Sequence, residues 1–359
     1  MPPVVVRILH PLPDAAAGPL VRWVSDERAA LAKRHRLGFE AAGAGDVAVV
    51  EGSADGRTFG ARLRDLVEPD RPGGLVVLGS GAIPLASATD RRAFVLAAAS
   101  VEPRALANNR YSADIVAIAR VDQLPAVPDL PGDNALPRWL DEVAAYRVED
   151  LRRRWRLAVD IDGPLDVLLT GAHDRPDGID LGPVMTRLAA VQRVTRDPRA
   201  ELLVAGRTSA ATVAWLEGHT PSRTRVLMEE RGLRAASRLA QAGPTVGGTE
   251  PPQRPPASVL GALLDRDGPE SFGRHLARLA DAAIVDTRVL LAHRLGADEA
   301  AWPSAEDRFA SDLLLADRIA DPWLRALTAS AAAATIPILL GGHTLVGPGV
   351  RLIVGRPWS

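Results

Sequence analysis

Apolar residues along this chain fall into short continuous runs separated by stretches with helical spacing, an alternation that predicts a layered α/β protein. Val4–Leu9 is an apolar run of the kind a strand buried on both faces shows. Leu20–Ala42 then carries apolar residues at helical spacing (Leu20, Trp23, Val24, Leu31, Leu37) with charge on the other side, and Gly43 and Gly45 end it. Asp46–Glu51 is a second strand, so the chain opens with a βαβ unit. The same rhythm predicts a helix over Phe59–Glu68, a strand over Gly74–Leu78, a helix over Ala88–Ser100 and a strand over Ala113–Ala119. Helices over Asn134–Tyr146 and Val148–Arg154 follow, then a buried strand, Leu157–Ile161. This order means a mostly parallel sheet with helices on both faces.

Beyond residue 173 the rhythm changes. Glu201–Ala205 reads as a strand, Ala210–Glu217 as a helix and Thr224–Met228 as a further strand. Gly243–Pro256 is rich in Pro and Gly, which block both regular structures, and reads as a linker or mobile loop. Helices over Ser271–Arg294 and Ser304–Ala320, a strand over Ile336–Leu340 and a last strand over Val350–Val354 complete the pattern. We therefore expect two domains, residues 1–172 and residues 173–359, the second α/β or α+β.

Composition narrows the chemistry. With 359 residues, 47% of them hydrophobic and 24% charged, the chain can bury a sizeable core. A formal charge of −1 gives no field to gather nucleic acid or an anionic membrane. The absence of cysteine excludes disulfides, thiolate nucleophiles and Cys-ligated zinc. Lys33 is the only lysine, so no Walker A lysine is present. The N-terminal apolar run is too short and Pro-interrupted for a signal peptide, and Leu327–Leu340 is too short to span a bilayer. The expectation is a cytoplasmic protein.

Candidate site residues lie where strands end. Asp160 and Asp162 close the Leu157–Ile161 run, before Gly163 and Pro164 turn the chain into a short helix stopped by Gly171. Ligands of open α/β sheets sit at such carboxyl ends. Asp162 also reads as a helix cap, and Asp160 as a partner for Arg154 or Arg156. Gly79, Ser80 and Gly81 offer backbone N–H groups as an anion nest or form a plain turn. Asn108, Asn109 and Arg110 have the paired donors and acceptors to read a base or sugar, or make an ordinary turn. Arg207, Thr208 and Ser209 open a helix behind a strand, as a phosphate or carboxylate seat or as a cap. His343 sits in a glycine-rich turn that lets backbone approach a ligand closely. No chemistry is assigned to Asp286, Arg288 and His293, which fall on a helix-like stretch without metal-ligand spacing.

Three segments carry a resemblance. Val159–Leu169 (VDIDGPLDVLL), Asp133–Leu140 (DNALPRWL) and Leu75–Leu85 (LVVLGSGAIPL) are similar to motifs of GT-A-fold nucleotidyltransferases of the molybdenum-cofactor and 2-phospho-lactate guanylyltransferase type. The likeness covers residues 1–172 and implies a GT-A, Rossmann-like domain in which Asp160 or Asp162 holds Mg²⁺. Two features depart from that family's pattern. The loop after the first strand, HPLPDAAAGPL, lacks the glycine-rich, lysine-ended phosphate cradle, and Gly79 and Ser80 stand where the family has a metal-binding Asp. The activity implied is a metal-assisted nucleotidyl- or phosphoryl-group transferase acting on a nucleotide and a small phosphorylated metabolite. The alternatives are a non-catalytic nucleotide- or metabolite-binding protein on the same fold, and a scaffold using the Ala-rich helix Ala326–Ala334 as an interface.

Overall fold

The computed structural model describes residues 4–53, 56–67, 73–130, 132–171, 176, 178–230, 257–296 and 298–356. The Pro/Gly-rich stretch Gly243–Pro256 lies outside the described residues. The chain divides into two compact units, Met1–Ala17 with Val24–Ile161, and Gly18–Trp23 with Asp162–Ser359. Asp160 thus belongs to the first and Asp162 to the second. Both units are α/β and Rossmann-like in layering. Among the described residues no helix is long and apolar enough to cross a membrane.

In the first unit six strands, β1 (Val4–Pro11), β2 (Asp46–Gly52), β3 (Gly74–Gly79), β4 (Arg104–Ala107), β5 (Ile115–Ala119) and β6 (Arg147–Asp150), run in the order β2-β1-β3-β5-β4-β6. The ladder is parallel except at β5, which is antiparallel to both β3 and β4. Alternation along each strand sends successive side chains to opposite faces. Val4, Val6, Ile8, Val76, Leu78, Ile115 and Ala117 join Phe39 and Phe94 in one core. The last two come from α1 (Pro19–Ala41) and α3 (Ala88–Ala98). Leu75, Val77, Val116 and Ile118 pack on the other face with Leu63 of α2 (Phe59–Val67) and Leu140 of α4 (Leu136–Glu142). This is the doubly covered, mostly parallel sheet that the pattern predicts.

Two expectations in this unit are corrected. Val148–Arg154 is not helical: Arg147–Asp150 forms the edge strand β6, paired in parallel with β4. Its acidic and basic side chains obscure a strand signal that rests on four residues. Leu157–Ile161 is not a strand of the sheet either. Trp155–Ala158 is a turn of 3₁₀ helix, followed by one isolated antiparallel bridge between Ala82 and Asp160. The segment is laid against the β3 turn by the Ile161 N–H donating to Gly81 O at 3.0 Å, and Arg28 Nε donates to Ile161 O. Gly81 is required there, since a Cβ would lie 2.9 Å from Ile161 O.

The second unit has a four-stranded, all-parallel sheet: β7 (Glu201–Gly206), β8 (Arg223–Met228), β9 (Ala282–Asp286) and β10 (Ile338–Gly341), in the order β10-β9-β7-β8. One face packs Leu203, Ala205, Ala283, Val285, Ile338 and Leu340 against helices that supply Leu264, Phe272 and Leu327. On the described part of this unit α5 (Pro164–Thr170) and α6 (Gly182–Thr195) precede the sheet, and α7 (Ala210–His219) links β7 to β8. Then come α8 (Val259–Asp267), α9 (Phe272–Ala277), α10 (Thr287–Leu295), α11 (Ala305–Asp312), α12 (Pro322–Ala332), α13 (His343–Val346) and α14 (Gly349–Gly355).

Two further corrections follow. Ser271–Arg294 is not one helix but α9, the buried strand β9 and α10. The run Ala282–Val285 is short and apolar, which periodicity alone cannot tell from buried helix. Val350–Val354 is helical, within α14; its β-branched residues suit a strand, but Pro348 stands at the N-cap, and Val350 and Ile353 are buried at helical spacing. The Ala-rich helix α12 turns Leu324, Leu327, Thr328 and Ala331 into the core of its own unit.

Candidate functional site

In the first unit the ends of β1, β2 and β3 open onto a cavity of about 600 Å³, lined by His10, Glu51, Arg57, Arg62, Gly79 and Asp114 among others. His10, next to last in β1, is buried and shares a 3.0 Å hydrogen bond between Nδ1 and Ser80 Oγ. Burial lowers its pKa, partly opposed by the Glu51 carboxylate, so the imidazole is neutral at pH 7. Arg57 is held 2.7 Å from Asp65. Gly79 borders open space: a Cβ there meets nothing within 4 Å. The turn that follows carries strain, because Ile83 is fully buried with φ +44, a conformation a β-branched residue rarely takes. It is clamped by His35, whose Nε2 lies 2.8 Å from Ala82 O. Burial takes the His35 pKa down to about 4, so the neutral ring donates that proton. Such strain clusters at ligand sites.

The candidates in this unit have different tasks. The Gly79 N–H donates to Asp114 O at 3.3 Å and the Ser80 N–H to Leu9 O at 2.9 Å, so the Gly79–Gly81 turn spends these amides on its own backbone. Asn108 is a buried clamp. Its amide donates to Asp114 Oδ2 at 2.7 Å and Leu157 O at 2.9 Å, and its carbonyl accepts from the Asp114 and Ile115 N–H groups. Four bonds saturate an Asn side chain, which leaves nothing to read a ligand. Asn109 Oδ1 accepts from the Tyr111 N–H, an Asx turn. Arg110 is paired with Asp141, and Glu142 stands 3.9 Å away. Arg154 pairs with Asp90 rather than with Asp160.

In the second unit several named residues converge at the carboxyl edge of the sheet, together with others that the sequence reading passed over. Arg207, just past β7, grips Asp286 at the end of β9, with Nε donating to Oδ2 at 2.6 Å and Nη2 to Oδ1 at 3.1 Å. Burial acts to raise the Asp286 pKa, but Arg207 outweighs it and holds the carboxyl below its ordinary value. Gly206 permits this approach. Arg288 reaches across to Asp312 with both Nη atoms, one contact being 2.7 Å, and both residues are buried. His343 Nδ1 stands 3.4 Å from Asp162 Oδ2. Ser209 caps α7, its Oγ accepting from the Thr212 N–H, whereas the Thr208 hydroxyl is buried without a partner. A strand reading of Ala282–Asp286 would have exposed Asp286, since it repeats the apolar-run-then-Asp pattern of the DID segment.

Asp162 does not cap α5. Asp166 does, three positions past Gly163, accepting from the Asp162 N–H at 3.0 Å and the Gly163 N–H at 2.9 Å. Burial, then the Asp162 and Asp312 carboxylates, push the Asp166 pKa up to about 7. A folded-state pKa above the unfolded one makes the neutral carboxyl the stabilised form. Stability from this group is therefore complete below about pH 4 and is lost as pH rises through about 7. Asp166→Asn is expected to flatten the stability–pH curve over that window, measured by urea denaturation at stepped pH. An unchanged slope would contradict the assignment.

Neither unit presents a ready metal centre: among the described residues no three His, Asp or Glu side chains are grouped to hold one. Asp286 and Asp312 are committed to arginines and Asp166 to a helix cap. Comparison with models of known families and with curated proteins finds no match for this chain.

Proposed function

We propose that the chain is a nucleotide- or phosphorylated-metabolite-binding protein whose ligand occupies the first unit's cavity. The observation that carries this reading is the cavity itself, about 600 Å³ at the carboxyl ends of β1, β2 and β3. Small-molecule sites run from roughly 300 to 1,000 Å³ and favour this edge of an α/β sheet. Its apolar floor (Leu9, Val77, Ile115) suits a ring, Arg57 and Arg62 suit phosphate oxygens, and Glu51 and Asp114 suit N–H or O–H donors. Asn108 spends its hydrogen bonds within the fold and Arg110 pairs with Asp141, which removes two groups that would orient a transferase's substrate.

A second reading, the metal-assisted nucleotidyl- or phosphoryl-group transferase, is favoured by Asp160, which the Ala82 bridge fixes at the turn after β3. Mg²⁺ would be held there by Asp160 alone of the protein's residues, with phosphate oxygens and water completing its shell, and would neutralise phosphate charge. Thermal denaturation with nucleoside triphosphates and sugar phosphates, with and without Mg²⁺, separates the two. Ligand at a hundred times Kd adds about 2.7 kcal/mol. Stabilisation without Mg²⁺ supports the binding protein, and stabilisation only with Mg²⁺ supports the transferase. No stabilisation by any of these ligands contradicts both.

A further inference from the structure

We propose that the second unit carries a ligand site of its own, a seat for a carboxylate or a phosphate monoester formed by Thr208, the first turn of α7 and His343. The strand order places β8 on one side of β7 and β9 and β10 on the other. β7 and β9 therefore flank the switch point of a parallel sheet, the position where such sheets take ligands. α7 starts there and is ten residues long. Ala210 and Ala211 are exposed, and their amides, in the first turn, have no intrahelical acceptor. The positive end of the helix dipole favours an oxyanion at that spot.

Two independent observations point to an occupant. Thr208 is 3% exposed, and its hydroxyl meets no partner although the adjacent Ser209 takes the capping role. A buried unpaired hydroxyl destabilises a fold by about 1–3 kcal/mol, so a structural role does not account for it. Gly342, buried at the end of β10, faces a hollow: a Cβ there meets nothing within 4 Å. His343 follows directly, and its side chain keeps 31% exposure. The arginines of this edge are already matched, Arg207 to Asp286 and Arg288 to Asp312, which makes the helix amides and the Thr208 hydroxyl the groups that meet an anion, with His343 shared between it and Asp162. An entering anion competes with Asp162 for His343.

The test is a thermal-shift titration of the full chain with inorganic phosphate and with acetate, against sodium chloride at equal ionic strength. Saturable stabilisation by phosphate alone identifies a phosphate monoester as the ligand class, and stabilisation by acetate identifies a carboxylate. Thr208→Val, nearly isosteric, is expected to weaken the apparent affinity about tenfold, the scale of a hydrogen bond to a charged group, without lowering the anion-free melting temperature. Thr208→Ser keeps the hydroxyl and retains binding, and Asp162→Asn tightens it. No saturable effect of either anion overturns the proposal. So does a Thr208→Val chain that binds unchanged, or one that melts lower without anion, which would make the hydroxyl structural. Arg57 and Arg62 line a first-unit cavity that also suits phosphate, so the stabilisation is assigned to this second site by its weakening in Thr208→Val.

Discussion

Gly206→Ala is expected to destabilise the second unit by about 3 kcal/mol, the combined scale of a left-handed backbone forced on a side chain and of overpacking. Gly206 has φ +125, and a Cβ there would sit 2.3 Å from the Cβ of Asp286. Neither strand end can yield cheaply. Asp286 is fixed by Arg207, and its own Oδ1 accepts from the Arg288 N–H at 3.1 Å to cap α10. Gly218 supplies the control, being exposed within α7 with nothing near an added Cβ. Gly218→Ala should leave the denaturation midpoint unchanged or raise it slightly. Equal midpoints for the two variants would show that the β7–β9 junction is not tightly packed.

Arg288→Met is expected to cost about 3–5 kcal/mol, because it leaves Asp312 buried with no counter-charge. Burial already pushes the Asp312 pKa up despite the guanidinium, and Asp286 adds to that push. Burial likewise opposes the charge on Arg288, and Asp312 more than restores it. The double variant Arg288→Met with Asp312→Leu should recover most of the loss, since a buried ion pair and an apolar pair of similar volume are close in energy. Urea denaturation of the two single variants and the double variant gives the coupling directly. Additive losses would mean that the pair is not the interaction the geometry shows.

Much of the first unit was legible from the sequence because β1, β2, β3 and β5 are apolar runs, the first three each followed by a helix, whereas β4, like β6, is only four residues long and gives no such signal. What escaped was non-local. β6 is a four-residue edge strand of charged and apolar residues, recognisable only by its pairing with β4. The strand β9 was hidden inside an apparent helix, and with it the role of Asp286 and Arg288. Asp312 lies 24 residues from Arg288, so no spacing rule connects them. Asn108 illustrates the opposite failure: its residue type suits ligand reading, but the fold consumes all its hydrogen-bonding capacity. The cavity could not be anticipated either, because its lining is drawn from several strand ends at once.

The measurement that bears most directly on the central claim is nucleotide binding by Gly79→Leu, followed by calorimetric titration and by the melting temperature without ligand. Gly79 lines the first unit's cavity, and its missing side chain would project into open space rather than into protein. The account predicts a chain that melts like the wild type but has lost its affinity for the nucleotide or phosphorylated metabolite. Undiminished binding by that variant would contradict it.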